Sequence, residues 1–143
     1  MNSSLASLED LIRGSKHALV IGVGGGGDVA GALATARFLE FCGLRLTLGG
    51  LSWERNVDDP IPGPRKLSET KNVRPLHEFA WMANANSQTS AGVPFAEAKM
   101  AEVIDREVLL VDINGGVNGV VAGLEVAMKV LNTDLLVGLD VGG

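Results

Sequence analysis

The chain has 143 residues, 17 acidic against 12 basic side chains, a net charge of −5, and 46% apolar to 20% charged residues. That balance is globular and acidic, which excludes a wholly disordered chain, a basic nucleic-acid sleeve and an anionic-membrane binder. A lone Cys42 excludes an intramolecular disulfide framework, and the lack of a signal peptide or a long charge-free apolar run makes the cytoplasm the expected location.

A short helix over Leu5–Ile12, capped by Ser3 or Ser4, is expected to precede the first strand, His17–Val23. The run Gly22-Val23-Gly24-Gly25-Gly26-Gly27 follows, matching G-x-G-x-x-G between a strand and a helix. Residues without side chains let the backbone approach a phosphate closely, and the helix start offers unpaired N–H groups. Gly24, Gly25, Gly26 and Gly27 are therefore candidate phosphate contacts, and Asp28 is either a helix N-cap or a ligand residue. The helix Val29–Phe41 carries Ala32, Leu33, Ala36 and Leu39 on one stripe. Leu44–Leu48 is the second strand, ending at Gly49-Gly50. A dinucleotide fingerprint would place a ribose-binding acid there, whereas Glu54 comes several residues late, which argues against NAD. Glu54 and Arg55 can still reach the binding edge.

Ser52–Ala91 breaks the rhythm with four prolines, both tryptophans and an asparagine-rich stretch. It reads as a lid-like excursion, with a short strand near Val73–Leu76. Arg65 within it is either a phosphate clamp or a solvated cation. A helix over Pro94–Ile104 alternates Glu97, Lys99 and Glu102 with Phe95, Ala98 and Val103. The third strand, Val108–Ile113, leads through Asp112, Gly115 and Gly116 into a helix over Val117–Leu131, and Leu135–Leu139 is the fourth strand. Continuous apolar runs bounded by glycine suit strands buried on both faces. The expected fold is a single three-layer, Rossmann-like, doubly wound α/β domain over 1–143, mostly parallel, with the four strands in the order 2-1-3-4.

Val20–Leu33 (VIGVGGGGDVAGAL) is echoed by Val111–Leu124 (VDINGGVNGVVAGL), and Val137–Gly143 begins the pattern again. Either these turns share a phosphate-cradling role, or tight strand-to-helix turns simply favour glycine. Asp28, Asp112 and Asp140 lie near the carboxyl ends of strands and could hold Mg²⁺ through oxygen, or act as caps and turn formers. His17 and His77 have no spaced partner for a metal, and Cys42, Trp53, Trp81, Thr89 and Ser90 fit core packing or capping better than chemistry. The mean hydropathy of +0.24 and the apolar strand Leu135–Leu139 lead to an expected homo-oligomer whose interface includes Leu135–Gly143.

The blocks GVGGGGDVAGALATARFLE, TLGGLSWER with DDPIPGPR, SAGVPFAEAKMAEV with EVLLVDINGG, and LLVGLDVGG resemble the prokaryotic domain-of-unknown-function family numbered 1152. The resemblance implies a Rossmann-like α/β core and a natural chain that continues beyond Gly143. It implies that Gly24 to Asp28, Glu54, Arg55, Asp112 and Asp140 are family-type positions, and it assigns no substrate. The functional expectation is binding of a small phosphorylated metabolite or nucleotide over Gly24–Asp28, with phosphate-ester or sugar-phosphate chemistry if the chain is an enzyme. The alternatives are a non-catalytic nucleotide-binding or regulatory module, or an assembly domain.

Overall fold

The computed structural model describes residues 6–54, 58–61 and 63–141. In chain order these form α1 (Leu8–Gly14), β1 (His17–Gly22), α2 (Asp28–Phe41), β2 (Arg45–Leu51), a 3₁₀ turn (Leu67–Glu69), β3 (Thr70–His77), β4 (Ala80–Thr89), α3 (Ala96–Ile104), β5 (Val108–Val111), α4 (Gly116–Leu131) and β6 (Leu135–Leu139). α1 is capped by Ser7, whose hydroxyl accepts from the Asp10 N–H while the Asp10 carboxylate accepts from Ser7 N–H. The expected caps Ser3 and Ser4 lie outside the described residues.

Six strands make one sheet in the order β3-β4-β5-β2-β1-β6. The pairs β1–β2, β1–β6 and β2–β5 are parallel, whereas β3–β4 and β4–β5 are antiparallel. The four apolar runs read from the sequence therefore lie in the order 3-2-1-4, not 2-1-3-4. The runs are alike in composition, so nothing local in them selects a neighbour. The choice is tertiary, because β5 seats between β2 and the added β4. One consequence is geometric. The point where the strand order reverses lies between β1 and β6, and β5 is two strands from β1, about 10 Å at the usual strand spacing.

Residues 70–89 of the expected lid form a hairpin that extends the sheet. Its inner strand buries Trp81 and Met82 against Leu110 and Leu109. Helices lie on both faces. Ala18, Val20 and Leu48 meet Val29, Ala32, Ala36 and Leu39 of α2 and Ala101 of α3, while Leu19, Ile21, Leu109 and Val111 meet Ala127 of α4. Each buried Val, Leu or Ile side chain among these contributes roughly 1.5–3 kcal/mol and each alanine methyl about 0.8, so the central strands anchor the carboxyl edge on which the loops stand.

Candidate functional site

The parallel strands β1, β2, β5 and β6 deliver four connections to one edge. The glycine run leaves β1 braced on both sides: the Val23 N–H donates to Leu139 O (2.8 Å) and the Gly26 N–H donates to Trp53 O (2.8 Å). The glycines in it have different jobs. A Cβ on Gly22 would overlap the backbone of Asp28 and Val29, so Gly22 serves close packing of strand on helix. A Cβ on Gly24 would overlap the carboxylate of Asp28, and one on Gly25 would press on Trp53 O at 3.2 Å. Gly26 has φ +69°, a conformation that side chains resist. Above Gly27 there is open space. Gly27 is the N-cap of α2 and has no side chain with which to cap it.

Asp28 is consequently not the N-cap. It is the first residue of α2, 8% exposed, with its carboxylate folded back over Gly24 and its Oδ2 buried without a hydrogen-bond partner. A carboxylate gains from the positive end of a helix dipole, but a buried oxygen left unpaired is costly and asks for a donor or a cation.

The second glycine turn is filled by the protein itself. The ring of Phe79, on the tight turn between β3 and β4, lies against α4. Cβ atoms on Gly115 and Gly119 would stand 2.6 Å and 3.1 Å from it, and one on Gly123 would stand 3.0 Å from Phe79 O. Gly116 makes the turn at φ +62°. The glycines expected here as ligand contacts, Gly115 and Gly116, thus have structural reasons of their own. Asp112 is buried and committed to a turn: its Oδ1 accepts from the Asn114 N–H (2.8 Å) and Nδ2 (2.6 Å), and the Asn114 Nδ2 also donates to Pro64 O (3.1 Å). It lines a separate cavity of about 510 Å³ with Lys66, Phe79 and Asn114.

The expected trio of metal ligands does not assemble. Asp28 and Asp140 flank the β1/β6 crevice, Asp112 lies two strands away, and among the described residues no three His, Cys, Asp or Glu side chains come together as a metal site requires. Arg65, read as a clamp or a solvated cation, is instead buried at 4% exposure and paired with Asp59. Burial alone would raise the Asp59 carboxyl, yet the Arg65 guanidinium and the Ile61 N–H hold it below its usual range. Ser52 ties the same loop down, with its Oγ donating to Arg65 O (2.7 Å) and its carbonyl accepting from Arg65 N–H (2.6 Å). Arg55 lies outside the described residues.

Two acids meet at the start of α3. The N-cap position is Phe95, which has no polar group, so Glu54 reaches from the loop after β2 and its Oε1 accepts the Ala96 N–H (2.6 Å). Next to it Glu97 is 2% exposed, with its Oε2 unpartnered. Its carboxyl occupies the space where a Cβ on Gly50 would stand. Burial pushes Glu97 well above the usual carboxylate range, and the charge on Glu54 adds to the shift. The Gly49-Gly50 pair within a strand was the available signal for this close approach. His17 and His77 are local: His17 Nε2 bonds Thr47 Oγ1 (3.0 Å), and His77 Nδ1 accepts the Phe79 N–H (3.2 Å).

Among the described residues no helix is long and apolar enough to cross a membrane. No curated protein and no solved structure matches the chain. Residues 19–143 match the family described as "Protein of unknown function (DUF1152)", and the chain, matched over most of its length, belongs to that family.

Proposed function

We propose that the chain binds the phosphate of a small phosphorylated metabolite or nucleotide in the β1/β6 crevice, over Gly24–Asp28. The observation that carries the reading is the pairing of an uncapped helix start, open above Gly27, with a buried and unpartnered Asp28 Oδ2. The first suits an anion, since a helix N-terminus presents N–H groups and positive potential. The second would repel a bare anion. A Mg²⁺ ion that arrives on the phosphate reconciles them, because Mg²⁺ is commonly held by one or two carboxylates, phosphate oxygens and water. Asp28 is then the protein's ligand, and no preformed cage is needed.

The test is calorimetric titration with ADP and with inorganic phosphate, each with and without Mg²⁺. Binding that requires Mg²⁺ and disappears in Gly27→Val supports the reading, since a Cβ at Gly27 meets no atom of the protein. Undiminished binding in Gly27→Val overturns it.

A second reading, assembly, draws on a different observation. β6 is an edge strand, and Leu136 (42% exposed) and Val141 (49%) present apolar surface beside it. Sedimentation at micromolar concentration tests it. A dimer that a charge at Leu136 dissociates supports a homo-oligomer built on β6, and a clean monomer removes it.

A further inference from the structure

We propose that the buried Glu97 carboxyl, seated against Gly50, is a latch: it keeps the first turn of α3 closed on Glu54 and thereby fixes the Trp53 carbonyl that holds the glycine loop at Gly26. The connection is short and continuous. Glu97 sits buried against Gly50, beside the Glu54 carboxylate that accepts the Ala96 N–H. Trp53 precedes Glu54 in the chain, and its carbonyl accepts the Gly26 N–H. Two hydrogen bonds, joining two loops and one helix start, are thus set by whether one acid stays neutral.

The surroundings leave Glu97 few ways to carry charge. α3 packs against β4, β5 and α2. The strands β4 and β5 contain no ionisable side chain. α2 contributes Asp28 at its start and Arg37 and Glu40 near its end, the last two paired with each other. On α3 itself Lys99 and Glu102 are exposed. Burial opposes a charge on Glu97 most, a backbone hydrogen bond at Glu97 itself favours one, and among the described residues the charge acting on it is that of Glu54, which is like in sign. Ionised Glu97 must therefore draw in water or push Glu54 away, and either opens the turn that Glu54 caps. Between the ordinary glutamate value, about 4.3, and the raised value of the closed turn, the closed turn loses stability about tenfold per pH unit relative to the open one, and above the raised value the loss levels off. The role assigned to the glycine loop rests on the phosphate-binding reading, whereas the latch itself does not.

The experiment follows the Glu97 side-chain carboxyl and the Gly26 and Ala96 amides by NMR from pH 4 to pH 10 on the ligand-free protein. The expected result is one midpoint, above the ordinary carboxylate range, shared by all three signals. Glu97→Gln should remove that midpoint from both amides. Glu54→Gln keeps the cap acceptor and should move the midpoint toward acid, which keeps the test decisive if Glu97→Gln folds poorly. An ordinary Glu97 titration, or a Gly26 amide that ignores it, overturns the latch. Titrations of ADP with Mg²⁺ below and above the midpoint then separate the two ideas. Weaker binding above it supports regulation of the site, while no binding at either pH counts against phosphate binding and leaves the latch standing on the amides.

Discussion

The two glycine turns look alike in sequence and differ in what fills them. After β5, Gly115, Gly119 and Gly123 line a helical groove that receives Phe79 from the protein's own hairpin. After β1, the helix start opens above Gly27 and a carboxylate oxygen stays unpaired. A glycine-rich turn is thus a statement that something comes close, and only the structure says whether that something is already part of the chain.

The largest effect should come from crowding the filled turn. Gly119→Leu drives a side chain into the Phe79 ring and should cost about 1–3 kcal/mol, or about 2–4 °C in Tm for each kcal/mol. Phe79→Ala should be destabilising alone and should relieve Gly119→Leu, with a coupling of roughly 0.5–3 kcal/mol in a double-mutant cycle. Additive losses would mean the stripe does not exist to house the ring.

A third glycine site, Gly50 with Glu97, sharpens the contrast through pH. Glu97 is raised in the folded state, so the folded protein holds its proton more tightly than the unfolded chain. Its contribution is fully present below the unfolded value, about 4.3, and is lost as pH rises toward the folded value. Thermal melts of the wild type should therefore weaken from mildly acidic to alkaline pH, and Glu97→Gln should flatten that decline.

Asp28→Asn should change stability by less than about 1 kcal/mol, since it removes a favourable helix-dipole interaction along with an unpaired buried charge. It should abolish the Mg²⁺ dependence of ADP binding in the same titration used for Gly27→Val. The smallest effect on stability belongs to Gly27→Val, within about 0.5 kcal/mol by denaturant unfolding, because its Cβ meets no atom of the protein. A loss of several kcal/mol there would mean that the open turn is a packing site like the other.

The helices α2, α3 and α4 and the strands β1, β2, β5 and β6 were legible because continuous apolar runs and helical stripes are local signals. Of the hairpin only the expected strand near Val73–Leu76 was legible, and it lies within β3. β3 is polar and half-exposed with Pro75 inside it, and β4 passes from Ala80-Trp81-Met82-Ala83 into an asparagine bulge, so neither shows steady alternation. Sheet order was illegible for a different reason, since it depends on which strands meet and not on what each contains. Of the two readings open for Asp28, the cap was off by one residue, because Gly27 holds the N-cap position and the glycines before Asp28 carry the turn. Arg65 was misread because its partner Asp59 lies in the same proline-rich loop, where no periodicity reveals pairing. Phe79 was missed although Gly115, Gly119 and Gly123, four apart on one helix, asked for a bulky neighbour.

The placement of β5 has a consequence for how the chain comes into being. β5 lies between β2 and β4, both of which precede it in sequence. Until residues 108–111 join, β1 with β2 and β3 with β4 are two separate ladders, each ending in an unpaired strand. A nascent or partly unfolded chain therefore exposes two sticky borders at once, and β5 closes both in a single step. Four apolar residues, Val108 to Val111, act as the keystone of the sheet. A polar substitution at Leu109 or Leu110 should show its damage first as aggregation during synthesis, before any lowered melting temperature of the finished protein.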